Sequence, residues 1–326
     1  MRTLLISQSE VLAALDMREA LAAVEEAFRL HGLKQVQMPP KVYLDLPLGD
    51  VRAMPAYAPL LGFASVKNIN AHPGNRDTPS IVGTLTLFDP DTGFPVAIMD
   101  ATAITRLRTG AASGIATRLL AREDAQVAAL IGAGNQALTQ LEAILLARPG
   151  IEHVMVYDLD GERAAGFARS AADRFGVLAQ VARSIEEAVR PADVVTTITP
   201  ARAPIVQAGW VKAGVHINAI GADAAGKQEL ASELVGSARV VVDDMEQATH
   251  SGEVNVPIAQ GIIDARHIHA ELGQIVAGLK PGRLGLGETT IFDSTGLALQ
   301  DLACATHVYR HMTAQGRSAS QFDFLR

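Results

Sequence analysis

Across its 326 residues the chain has a single cysteine, Cys304. That excludes an internal disulfide and any metal site built from several cysteines. Long apolar runs are also missing. Stretches such as Val127–Ile131 and Val240–Val242 are short, far below the ~18 residues of a membrane span, so no membrane partner is expected. An excess of positive charge is absent: 28 basic residues face 35 acidic ones, a net charge of −7. A nucleic-acid partner needs a basic surface and is not expected either. Lysine is scarce, with only Lys34, Lys41, Lys67, Lys212, Lys227 and Lys280. The N-terminus turns polar after six positions and has no apolar leader core or cleavage site. Together these features predict a cytoplasmic protein. Apolar residues make up 48% and charged residues 19%, so a large core can be buried and wholesale disorder is excluded.

No repeat or low-complexity tract interrupts the chain. Ser7-x-x-Glu10 and Asp16-x-x-Glu19 read as capping boxes opening helices. The second helix carries Met17, Leu21, Val24 and Phe28 on one face and stops at Gly32. Residues 41–99 are rich in β-branched residues, Pro and Gly. Lys41–Leu46, Ala64–Ile69, Thr84–Phe88 and Val96–Met99 read as strands, with a turn at Asp89–Gly93. A long helix follows from Thr102 to Leu120. Beyond it strands alternate with helices: strands at Val127–Ile131, His153–Tyr157, Leu178–Ala182, Val194–Ile198, Val215–Ile220, Val240–Asp243 and Thr290–Asp293, helices at Ala137–Ala147 and Gly161–Phe175. Alternation of this kind predicts a parallel sheet wound on both faces. The fold class is therefore α/β: a mixed α+β domain over 1–120 and a doubly wound Rossmann domain over 121–296. The last helix, from Leu297, returns with the C-terminus to the first domain. Residues 244–286 read only as polar loops and short helices.

Strand Val127–Ile131 runs into Gly132-Ala133-Gly134-Asn135-Gln136-Ala137, a G-x-G-x-x-A between a strand and a helix. Gly132 allows the tight turn, Gly134 admits a pyrophosphate, and Ala137 lets the helix pack close and aim its amides at phosphate. Asp158 ends the next strand about twenty residues on. A carboxylate there holds the ribose hydroxyls of NAD and repels the phosphate of NADP, so NAD is the expected cofactor. Asp160 is a second candidate for the ribose. Val66-Lys67 lies on a strand before a polar turn, and Arg106 and Arg108 lie on a helix of small residues. Taken singly, each is more often a surface cation. Together they suit a carboxylate substrate, which the planar guanidinium fork matches. His72, His216 and His250 lack metal-ligand spacing, and no metal is expected.

The combination resembles the ornithine cyclodeaminase/mu-crystallin family, and within it the archaeal-type alanine dehydrogenases and imino-acid reductases. The matching pieces are Met38-Pro-Pro-Lys41, Arg52-Ala-Met-Pro-Ala-Tyr57, Val66-Lys67 with His72-Pro73-Gly74-Asn75, Arg108-Thr109-Gly-Ala-Ala112, Gly132–Gln136, and Gly221–Leu230. They span nearly the whole chain in the family's order. The resemblance implies a homodimer formed through the first domain, NAD(P) in the second, and an active site between them. It implies that Lys67 and Arg108 clamp the substrate α-carboxylate, that Asp223 moves a proton at the substrate nitrogen, that Thr109 and Gly132–Ala137 hold the cofactor, and that Thr84 lines the pocket. Lys41 and Arg52 are further substrate cations. Cyclodeaminases of the family carry an acid just ahead of Met-Pro and Cys-Pro after the aspartate. This chain has Arg52-Ala-Met54-Pro55 and Asp223-Ala-Ala. A cation in place of the acid disfavours a diamino acid.

The resulting expectation is an NAD(H)-dependent enzyme interconverting a small L-α-amino acid and its imino or keto acid. Four cations are many for one carboxylate and point to a dicarboxylic imine such as iminosuccinate. Alanine formation and cyclic ketimine reduction stay open. The alternatives are an ornithine cyclodeaminase that recycles bound NAD, and a non-catalytic mu-crystallin-like binding protein.

Overall fold

A computed structural model describes residues 2–72, 74–314 and 319–325; Pro73 of the His72–Asn75 motif lies outside them. The chain divides into two units, Met1–Arg108 with Leu297–Arg326, and Thr109–Gly296. The division falls inside helix Ala101–Leu120 rather than at its end near 120. Hydrogen bonds give the reason. Asn218 donates to Thr117 Oγ1 at 3.0 Å, and Thr290 Oγ1 and Arg283 both donate to the Leu120 carbonyl. The second half of the helix is thereby tied to the second unit's strands.

The first unit is built on a seven-stranded sheet. Its strands are β1 (Thr3–Ile6), β2 (Val42–Leu46), β3 (Gly49–Ala58), β4 (Phe63–Ala71), β5 (Ile81–Phe88) and β6 (Pro95–Asp100), with Ser320–Phe322 beside β1. The order is Ser320–Phe322, β1, β6, β5, β4, β3, β2. Sequence reading missed β1, which is only four residues long, and β3, which contains Pro55. That proline is tolerated because β2 pairs only with Gly49–Ala53, leaving Pro55 on an open edge. Both expected capping boxes form, at Ser7/Glu10 and Asp16/Glu19. Helix Ala298–Ala314 is buried along most of its length and packs on β3, β4 and β5 and on helix Met17–Gly32. It is the core of this unit. Within that helix the buried polar groups are Gln300, Asp301 and Thr306.

The second unit is a doubly wound α/β fold. Its parallel sheet contains β7 (Val127–Ile131), β8 (His153–Tyr157), β9 (Leu178–Val181), β10 (Val194–Thr197), β11 (His216–Ala219), β12 (Arg239–Val242), β13 (Ile268–Glu271) and β14 (Thr290–Asp293). The order is β13-β12-β14-β11-β10-β7-β8-β9. The chain reverses direction across the sheet between β7 and β10, the point where such folds place ligands. Apolar runs such as Val240–Val242 are buried on both faces. Residues 244–286 include helices Met245–Ser251, Asn255–Ala259 and Leu272–Val276, as well as β13, which the sequence did not reveal.

Candidate functional site

In the first unit, alternation along the strands decides which side chains share a face. Arg52, Met54 and Ala56 point to one side of β3; Ser65, Lys67 and Ile69 point to the same side of β4, since Met54 pairs with Lys67 and Arg52 with Ile69. Leu85 and Met99 continue that face on β5 and β6. Lys67 is fully buried there, an unusual place for an ammonium. Its Nζ lies 2.7 Å from Asp301 Oδ2 and 3.4 Å from Thr105 Oγ1. Arg108 donates from Nε to Asp301 Oδ1 at 3.1 Å and from a terminal nitrogen to Gln300 Oε1 at 3.2 Å. Asp301 sits in the first turn of its helix, where the dipole favours an anion. With Lys67 protonated, two cations therefore share one buried carboxylate. Burial, with the positive charges of Arg108 and Lys41, pushes the Lys67 ammonium down to about 7, against the pull of Asp301. With Lys67 protonated the cluster keeps net positive charge, which stabilises a further anion.

The other expected substrate residues fare differently. Arg52 lies on the Lys67 face, but Asp50 holds its fork with two hydrogen bonds of 3.0 and 2.9 Å, and its guanidinium stands 5.5 Å from the Tyr43 ring centroid. Lys41 precedes β2, and its charge reaches Lys67. Thr84 pairs with Asn68 and Asp100 and is exposed on the face opposite Lys67. A strand turns successive residues to opposite sides, so Thr84 and Lys67 do not share a face of the sheet.

In the second unit, Gly132 closes β7 with φ 106°, a left-handed value that disfavours any side chain. A Cβ there would meet the Ile198 carbonyl across the reversal at 2.9 Å. Its N–H donates to the Tyr157 carbonyl at 2.8 Å. Gly134 has open space where a Cβ would be. Gln136 caps helix Ala137–Ala147 without a side-chain hydrogen bond to the first turn, and the Ala137 N–H donates to the Gly134 carbonyl at 3.0 Å. Asp158 Oδ2 accepts from the Ala133 N–H at 2.7 Å, and its Oδ1 accepts from Asp160 N–H at 2.9 Å. The carboxylate thus stands against the glycine loop and braces it. Asp160 is committed elsewhere: its side chain accepts from the N–H groups of Glu162 and Arg163 as the cap of helix Gly161–Phe175. Thr109 is buried on its helix, and its carbonyl accepts from Ser113 Oγ at 3.5 Å. Turn, open glycine, uncapped helix and acid together fit a dinucleotide.

Asp223 follows β11 and pairs with Lys227, four residues on in the same loop, at 2.5 Å. Its loop is held by a buried acid. Glu229 accepts from Gly221 N–H at 2.8 Å, and from Thr199 N–H and Oγ1 at 2.7 Å each. A side chain on Gly221 would collide with that carboxylate and with the Thr199 carbonyl. Glu253 accepts from the N–H groups of Glu229 and Leu230, Asp293 from Val254, and Asp243 from Thr295 and Gly296. Burial raises Glu229, Glu253 and Asp293, the last to about 8. His216, read as structural, is buried between Thr290 Oγ1 and Asn218 Oδ1, and burial pushes it down to about 3.

The structure brings Lys67 and Arg108 together, and gathers Gly132 to Ala137 with Asp158. Sequence reading missed Asp301, Gln300, Glu229, Glu253 and Asp293 as members of these groups. The signal for two of them was present: Gln300-Asp301 interrupts the otherwise apolar run Leu297–Ala305.

Comparison with known proteins agrees with this geometry. An archaeal alanine dehydrogenase dimer with bound NAD is 49% identical, each chain covered in full, with a TM-score of 0.95. The pyrroline-2-carboxylate reductase of Thermococcus litoralis, in complex with NADH and L-proline, is 37% identical, covering 96% of this chain and 98% of that one, with a TM-score of 0.93. The iminosuccinate reductase of Paracoccus denitrificans, in complex with NAD+, is 31% identical over 99% of this chain and 100% of that one, also at 0.93. The family model for the ornithine cyclodeaminase/mu-crystallin family matches residues 1–316. With a match that spans both units, the residues that carried the resemblance are parts of one continuous likeness, and the chain belongs to the ornithine cyclodeaminase/mu-crystallin family.

Proposed function

We propose that this chain is an NAD(H)-dependent oxidoreductase that interconverts a small L-α-amino acid and its α-imino or α-keto acid, working as an imine reductase. The observation that carries the reading is the buried pair of cations on Asp301: with Lys67 protonated, Lys67 and Arg108 leave net positive charge where a carboxylate can neutralise it. The three relatives above act on amino or imino acids with NAD(H), which supports the same chemistry here. The bound nicotinamide supplies the hydride donor or acceptor. The chain does the rest. Arg108 and Lys67 hold and orient the α-carboxylate. Asp223 carries the proton at the substrate nitrogen, with the Lys227 ammonium hydrogen-bonded to its carboxylate. Gly132, Gly134, Asn135, Gln136, Ala137 and Thr109 receive the cofactor phosphates, and Asp158 the adenosine ribose.

Among candidate substrates, iminosuccinate (to aspartate) and the imine of pyruvate (to alanine) fit best. Arg52, whose guanidinium Asp50 shares, lies on the Lys67 side of the sheet, and the charge of Lys41 reaches Lys67; both support the dicarboxylate. The working unit is a homodimer formed through the first unit. Val42, Leu44 and Leu46 are exposed on β2, the end strand of its sheet, and an apolar edge strand is normally covered. No helix among the described residues is long and apolar enough to cross a membrane. An NADH-oxidation screen with oxaloacetate, pyruvate and cyclic imines, with and without ammonia, tests the activity. Turnover of ornithine to proline without NADH build-up would reassign the chain to the cyclodeaminases.

A further inference from the structure

We propose that the first unit carries a transition-metal site formed by Glu19, His307 and His311, apart from the residues assigned to substrate and cofactor. His307 and His311 are four residues apart on helix Ala298–Ala314, so they lie on one face. Their rings are 6.2 Å apart at 33°. Helix Met17–Gly32 packs against that helix and presents Glu19 from its first turn. One ligand atom from each of the three side chains falls within 4.8 Å of the other two.

The local hydrogen bonding suits a bound cation better than a direct His307–Glu19 pair. Glu19 Oε2 is engaged by the Asp16 N–H at 2.7 Å, part of the capping box. That bond orients the carboxylate, as an outer partner orients a metal ligand. The other oxygen, Oε1, stands 3.5 Å from His307 Nε2. Yet His307 Nε2 is buried and makes no hydrogen bond. A buried polar atom in that state is costly. A metal ion bound by Nε2 and Oε1 would satisfy both, with small rotations of the side chains bringing the three ligands onto one centre.

The donor set decides which ion. Two imidazoles and one carboxylate suit zinc or nickel, whereas magnesium and calcium prefer oxygen ligands alone. Three protein ligands leave a further position for water. The spacing of His307 and His311 was legible in the sequence; the acid from another helix was not. The site's consequence follows from the helix it sits on. Asp301 lies six residues before His307, about 9 Å along the axis. A bound ion would clamp the helix that positions Lys67 and Arg108.

The test uses the full chain without a purification tag, stripped with a chelator. Calorimetric titration with zinc, nickel and magnesium is combined with thermal unfolding. One zinc per chain and a rise of several degrees in Tm at saturating zinc are expected, with no response to magnesium. His311→Ala, which changes a partly exposed residue, should weaken zinc binding at least tenfold. So should Glu19→Gln, which keeps the capping box because Gln serves at that position. His307→Ala is the third arm. NADH oxidation without added metal should persist in His311→Ala, which separates failure of this site from failure of the oxidoreductase reading. No heat of zinc binding, or equal binding by the parent and all three variants, would overturn the proposal. In the second case the ion sits on other histidines.

Discussion

Asp301→Asn removes one charge and keeps the shape of the side chain, so it isolates what the carboxylate does for Lys67 and Arg108. Breaking a buried ion pair by removing one partner costs about 3–5 kcal/mol. Here the loss has a relief valve. Lys67 already sits near 7, and losing the anion that holds it up moves it lower. At pH 7.5 the variant's Lys67 is then neutral. The remaining cost is chiefly the charge-assisted hydrogen bond to Arg108, about 1.5–3 kcal/mol. At pH 6 more of the full penalty returns, because the lysine is closer to carrying its proton. The sign agrees with linkage. The native state of the parent binds this proton less tightly than the unfolded chain, so Lys67 costs stability below about 7, and the cost is relieved as pH rises towards 10.5. A neutral Lys67 also binds a carboxylate poorly. KM for the imino or keto acid should rise about ten- to hundredfold at pH 7.5, with kcat changed less. The loss should shrink as pH falls and the lysine regains its proton. Steady-state kinetics from pH 5.5 to 9, run beside thermal unfolding, read both effects. A variant that unfolds more easily yet keeps the parent's KM and pH profile would refute the argument and leave Asp301 with a purely structural role.

Asp158→Ala should narrow the preference for NAD over NADP at least tenfold, read as the ratio of kcat/KM values; equal use of both cofactors by the unmodified protein would refute its assignment to the ribose. Because Asp158 also braces the Ala133 N–H, some loss of affinity for both cofactors should accompany the change. Arg52→Ala should raise KM for a four-carbon dicarboxylic imine about tenfold more than for a three-carbon one. The lower end of a charge-assisted bond applies because Asp50 already shares the guanidinium, and an equal effect on both substrates would favour the alanine-forming reaction. Asp293→Asn should flatten the dependence of stability on pH. Its native carboxyl is raised to about 8 from 3.8, so the stability it contributes is full below the unfolded value and is lost as pH rises through the native one. Unfolding midpoints from pH 5 to 9 check this, and an unchanged slope would show that the group does not titrate there.

The second unit was far more legible than the first, for a physical reason. A parallel sheet covered by helices on both faces writes itself as apolar runs alternating with amphipathic segments, and β7, β8 and β14 were readable to the residue. The glycine loop was readable because backbone geometry leaves few choices of residue. The first unit is antiparallel over much of its sheet, and its strands carry glycine, proline and polar residues, so β3 was invisible around Pro55. For the site, the cations could be found because a lysine within a strand is conspicuous. Their partner could not. Asp301 follows Arg108 by 193 positions, and nothing local in a sequence connects them. Thr84 was named by a family likeness alone, and strand register sets it on the face opposite Lys67.

Buried acids in the second unit explain why a perturbed carboxyl is a poor guide to catalysis in this fold. Glu229, Glu253 and Asp293 are all raised by burial, the signature often taken for an active site. Each instead receives backbone N–H groups from the segment next to it. Glu229 ties the loop after β10 to the loop after β11; Glu253 ties the segment that carries Glu229; Asp293 ties the segment that carries Glu253. Loops at the ends of parallel strands leave N–H groups without sheet partners, and buried ones must be satisfied. A carboxylate accepts several at once, and a chain of them makes successive loops depend on one another. Asp223 stands apart from this chain. It is only partly buried, it pairs with a lysine, and the loop that bears it is held by Glu229. For the proton transfer proposed at Asp223, that arrangement supplies a fixed backbone beneath a side chain that faces a second titratable group.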